Sequence, residues 1–185
     1  LGGGALQATT TASNNTAVGY NSLNANTTGT QNTAVGTSAL DASTTASYNT
    51  GVGYRALSAN TTAQENAAFG TDALLVTTTG GRNAAFGAYT LTANTTAQNN
   101  VAVGYSALTA NTTGAYNTAV GSLALDASTT AESNTGIGWM ALSAVTTGGY
   151  NTAVGSDAGA AITTGASNTA LGKAALGGNT TADDN

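Results

Sequence analysis

Apolar and polar positions along this chain recur at a fixed spacing of 17 residues. With Asn as the first position, units begin at Asn15, Asn32, Asn49, Asn66, Asn83, Asn100, Asn117, Asn134, Asn151 and Asn168, and Asn185 opens another. Four residues after each Asn stands a Gly: Gly19, Gly36, Gly53, Gly70, Gly87, Gly104, Gly121, Gly138, Gly155 and Gly172, with Gly2 extending the column backwards. Val, Leu, Ile or Phe always precedes that Gly. A Thr pair recurs from Thr10-Thr11 to Thr180-Thr181, and a Leu column (Leu23, Leu40, Leu57) is broken only at Gly159. A repeat decides the architecture before local propensity is weighed. The 3.6-residue helical period is missing, and helical repeat units generally need about 33 residues or more.

The pattern therefore predicts an all-β parallel β-solenoid, or β-roll, of 17-residue coils, spanning residues 1–185 as one continuous array of about eleven repeats, a piece of a longer fibre. Alternation along a strand puts Thr16 and Val18 on one face and Ala17 on the other. Val18, Val35 and Val52 are expected to stack inside, beside the Leu column. Gly19 is expected to turn a corner at positive φ, which glycine adopts without steric cost. A second extended stretch is expected at Ser22 to Ala25, and a turn at Asn26 to Gly29. Stacking at roughly 4.8 Å per coil sets identical side chains above one another, so the Asn and Gly columns form a structural ladder in which buried amides satisfy each other from coil to coil. One Val and one Leu per coil, worth roughly 1.5–3 kcal/mol each, barely offset an ordering cost of about 1–2 kcal/mol per residue. Several chains, intertwined or packed around a shared axis, would bury a second face, so a homo-oligomer is expected.

Composition removes most chemistry. The chain has three basic and eight acidic residues, a net charge of −5, and no His, Cys or Pro. An enzyme is not expected, and neither a cofactor nor a metal site. The negative charge opposes nucleic acid, which requires clustered Lys and Arg. No run of about 18 apolar residues supports membrane insertion by this segment, and no signal segment opens it.

Asn-Thr-Ala-Val-Gly followed by Ala-Leu resembles the head repeats of trimeric autotransporter adhesins, and similar arrays occur in phage-type tail fibres. The resemblance covers the whole chain. In the adhesin heads the unit is about 14 residues, whereas here it is 17, with Asn one residue nearer the Gly. The resemblance implies a left-handed β-roll, a homotrimer, an extracellular, cell-surface or virion-fibre location, and binding to a host surface, glycan or matrix ligand. A structural or adhesive fibre segment is the expected function, with an ice-binding solenoid that uses Thr ladders as the alternative.

Individual residues add little chemistry. Neighbouring strand residues point to opposite sides, so at most one Thr of each pair faces out, and the second-position Thr column is interrupted by Ala67, Ala84 and Val101. Asp41 and Asp126 lie five coils apart, as do Asp72 and Asp157, roughly 24 Å at the stacking distance. That is too far for the paired carboxylates of a glycosidase. Most units lack the Asp that a calcium ladder needs. Tyr20, Tyr54, Tyr105 and Trp139 follow the Gly, and Tyr48, Tyr116 and Tyr150 end the unit, in variable columns expected to face solvent. Aromatic faces there would serve partner contact by stacking on sugars or packing at interfaces. Asn-Thr-Thr also fits a glycosylation acceptor, though a turn that needs Asn accounts for it.

Overall fold

A computed structural model describes residues 2–185. It is a parallel β-solenoid of about nine turns, each 17 residues, with no helix among the described residues. Each coil contributes one three-residue strand: β1 (Thr16–Val18), β2 (Thr33–Val35), β3 (Thr50–Val52), β4 (Ala67–Phe69), β5 (Ala84–Phe86), β6 (Val101–Val103), β7 (Thr118–Val120), β8 (Thr135–Ile137), β9 (Thr152–Val154) and β10 (Thr169–Leu171). The strands pair in chain order as a single parallel sheet. Register is in step with the repeat, Thr16 opposite Thr33 and Val18 opposite Val35. The ladder is closed by bonds such as Thr16 N to Asn32 O at 2.8 Å and Gly36 N to Val18 O at 2.8 Å.

The strand alternates as expected, but the faces are the reverse of the expectation. Ala17 is buried and Val18 is 46% exposed. Cross-section decides this. Ala of the strand meets Leu from the far side of the coil, and where Gly51 replaces Ala an added Cβ would already lie 3.4 Å from Leu40 Cγ. Two further methyl groups have no room there, so the branched residues stand outside. The core is the Leu column from Leu23 to Leu142, the strand Ala column and a second Ala-rich column that includes Ala39 and Ala56. At Gly159 the Leu is missing, and Ile162, three residues on, fills the gap with its Cδ1 only 3.2 Å from where a Cβ would stand.

Ser22 to Ala25 is a turn and not a second strand. A coil this short must reverse direction within a few residues, and it does so by placing Asn21 at φ 52° and Leu23 at φ 49°. Ladder bonds survive the reversal, since Leu23 N donates to Ala39 O at 3.0 Å and Ala25 N to Asp41 O at 3.0 Å. The Gly after each strand has φ between 113° and 142°, as the sequence predicted. An added Cβ on Gly87 would sit 2.5 Å from Gly104 O in the next coil, so this column needs glycine for close approach as well as for φ.

Candidate functional site

Two regular systems of side chains run the length of the solenoid, an internal polar ladder and an external face. Inside, Asn of each coil binds its own coil and both neighbours. Asn100 Nδ2 donates to Gly114 O at 3.0 Å, which ties the end of the coil to its beginning, and to Asn83 Oδ1 at 3.2 Å. Asn100 N also donates to Asn83 Oδ1 at 3.0 Å, and Asn117 N donates to Asn100 Oδ1 at 2.8 Å. The arrangement repeats from Asn15 to Asn185. A second Asn caps the following turn: Gly29 N donates to Asn26 Oδ1 at 3.0 Å while Asn26 Nδ2 donates to Gly29 O at 3.0 Å. Asn26 is fully buried. At Asn26, Asn60, Asn94 and Asn111 the Asn-Thr-Thr segment is therefore a turn whose amide is enclosed, and the folded chain does not offer these four for glycosylation.

The Thr pair divides as its spacing predicts. The first hydroxyl is tied along the axis, Thr27 Oγ1 donating to Thr44 O at 3.1 Å, and the second, as at Thr28 and Thr45, faces solvent in every coil. Each coil thus offers one outward Thr file from the pair.

Outside, the sheet presents its second and fourth repeat positions, and the residue after the corner Gly stands beyond them. Tyr20, Tyr54, Tyr105 and Trp139 are all more than half exposed or at its threshold, from 50% at Tyr54 to 61% at Tyr20. Tyr48, Tyr116 and Tyr150 are exposed too. The sequence placed both sets correctly in solvent. What it did not anticipate is that the apolar fourth column shares that exposure, with Phe69 and Phe86 stacked at 4.9 Å between ring centroids and Val103 and Ile137 also open. The signal was present: the third position is always Ala or Gly, whereas the fourth ranges from Val to Phe. A close-packed interior does not tolerate that range of volumes.

Charge is sparse, and two of the three cations sit in ion pairs. Arg55 forks onto Asp72 in the next coil at 2.9 and 2.7 Å, and this hydrogen bond raises the guanidinium pKa further. Arg82 meets Glu65 at 3.4 Å across the same two coils. Asp41 accepts from Ser58 Oγ at 2.8 Å. Burial raises the Asp126 carboxyl. The Arg82–Glu65 pair lies beside a shallow polar cleft lined by Thr62, Gln64, Gly81 and Gln98. No group of three or more His, Cys, Asp or Glu that could hold a metal ion occurs among the described residues. No family model, no curated protein and no solved structure matches this chain.

Proposed function

We propose that this chain is a non-catalytic segment of an extracellular fibre, a surface adhesin or tail-fibre shaft, that associates with copies of itself. The observation that carries this reading is the apolar fourth column, which stays open to solvent along the sheet while the interior is filled without it. Contiguous exposed apolar surface marks an interaction site. In-register stacking of identical coils supports a mechanical role, because each coil contacts only its neighbours and stability grows with the number of stacked coils. The resemblance to trimeric adhesin heads implies three copies, and the exposed aromatics would serve either those copies or a host glycan or matrix ligand. Sedimentation of the 185-residue chain at micromolar concentration tests the reading. A mass that is a multiple of 17.7 kDa is expected. A species of 17.7 kDa with the full β-sheet signal would overturn it.

The outward Thr file favours one second reading, an ice-binding surface. Its test is whether the chain shapes growing ice crystals, and unmodified crystal growth would exclude it.

A further inference from the structure

The outer face carries a symmetry of its own. Coils are counted here from Asn15, so that the fifth runs from Asn83 to Gln98 and the residue after it, and contains β5. At the second repeat position the coils read Thr in the first three, then Ala67, Ala84 and Val101, then Thr in the next three. The loss of hydroxyls is thus centred on the fifth coil. In the column after the corner Gly, aromatics stand in coils one, three, six and eight, and coils two, four, five, seven and nine carry Thr, Ser or Ala. Reversed end for end about Ala88 of the fifth coil, that order becomes its own complement.

We propose that two copies of this chain pack face to face, antiparallel, about a two-fold axis running along β5. This rests on the self-association reading above, and it selects two copies where the resemblance implies three. In the pair every aromatic of the column after the Gly meets a small residue of the other copy: Tyr20 faces Ser156, Trp139 faces Thr37, Tyr54 faces Ser122 and Tyr105 faces Thr71. Ala88 faces its own counterpart on the axis, as do Ala84 and Phe86. Thr meets Thr, and apolar meets apolar, at the second position. An isologous contact of this kind requires a self-complementary patch, and this one is complementary in two separate columns about one centre.

Charge and area agree with it. Across coils one to nine the second, fourth and sixth positions hold no charged residue, the depletion expected at an interface core. In the tenth coil Lys173 would lie opposite Gly3, the smallest partner available. The strand part of the face is about 43 Å long and 10 Å wide, roughly 430 Å² per copy, and the exposed side chains after the corner Gly extend it toward the roughly 800 Å² per partner of a standard interface. The aromatics after the Gly then belong to self-association, and Tyr48, Tyr116 and Tyr150 remain open to other ligands.

The chain contains no Cys, so single cysteines report the geometry. Ala88→Cys and Ser156→Cys are each treated with a short bifunctional thiol reagent whose arm spans the roughly 10 Å between packed sheets. In the antiparallel pair only Ala88→Cys links to a dimer, because Ser156 lies about eight coils, roughly 38 Å, from its counterpart. If both link, the copies are parallel and the proposal falls. If neither links while the parent sediments as an oligomer, another face is used; this proposal falls and the self-association reading stands. If the parent sediments as a single chain, that reading fails as well. Phe86→Glu sets two carboxylates against each other on the axis and changes only an exposed side chain. It is expected to give single chains with an unchanged β-sheet spectrum, and continued dimerisation at the parent's concentration would overturn the pairing.

Discussion

Removing one rung of the Asn ladder tests how the solenoid is held together. In Asn100→Ala three hydrogen bonds disappear, yet two of the abandoned partners keep another. Gly114 O still accepts from Asn111 Nδ2 at 2.9 Å, and Asn83 Oδ1 still accepts from the residue-100 backbone N at 3.0 Å. Only the buried Asn117 N–H, now 2.8 Å from Asn100 Oδ1, is left without an acceptor. An orphaned buried donor costs about 1–3 kcal/mol and the lost bonds add a fraction more, so the total is about 2–4 kcal/mol. Asn100→Asp separates hydrogen bonding from shape. Its second oxygen would face Gly114 O and Asn83 Oδ1, both acceptors, in a site without solvent. Desolvation and those dipoles raise its folded pKa above the unfolded value of about 3.9.

The sign follows from linkage. Below about pH 3.9 both states are protonated and the carboxyl can donate to Gly114 O, so the charge penalty is absent. The penalty grows as pH rises above the unfolded pKa and levels off above the folded one. A shift of about three units amounts to about 4 kcal/mol at pH 7. Asn100→Asp should therefore be less stable than Asn100→Ala at neutral pH and more stable near pH 3, each measured against the parent by thermal and denaturant unfolding. Exchange of the Asn117 amide should quicken in the Ala variant ahead of amides several coils away. An Ala variant within about 1 kcal/mol of the parent, or an Asp variant with the parent's pH profile, would refute the ladder as a source of stability.

Three further outcomes follow from the same geometry. Ala102→Val should cost about 1–3 kcal/mol by overpacking, whereas Val120→Thr on the outer face should leave single-chain stability within about 0.5 kcal/mol; the opposite order in denaturant melts would put Val back inside. Gly87→Val adds a branched side chain at φ 135° with Gly104 O 2.5 Å from its Cβ, so melting should fall or split into two transitions, and a parent-like melt would remove the close approach from the argument. Ser167→Gly replaces an exposed residue at φ 58°, relieving a strain of about 1–2 kcal/mol against a glycine entropy cost of about 0.5–1 kcal/mol; its melting temperature should be equal to the parent's or higher, and a clear fall would show that the conformation carries no strain.

A strict period with one strand's worth of alternation and one obligatory Gly dictates a stacked coil, because identical residues 17 apart can satisfy one another only by lying in register. On that ground the sequence alone determined the parallel β-solenoid, the Asn ladder, the positive φ after each strand, the turn at Asn26 and the outward Tyr and Trp columns. It could not say which face of the strand was inside, since alternation is symmetric between faces. Apolarity pointed to Val18, but the distance between strand and Leu column admits only Ala17, and that distance is a property of the closed coil. The stretch from Ser22 to Ala25 was misread for a related reason. Closure demands a reversal there: Asn21 takes up the left-handed conformation readily, but at Leu23 it is imposed by the return path against the preference of the residue itself. The centre of the outer face at β5 lay in the sequence all along, but it became a surface only once the tertiary structure had turned the second, fourth and sixth positions of every coil toward solvent together.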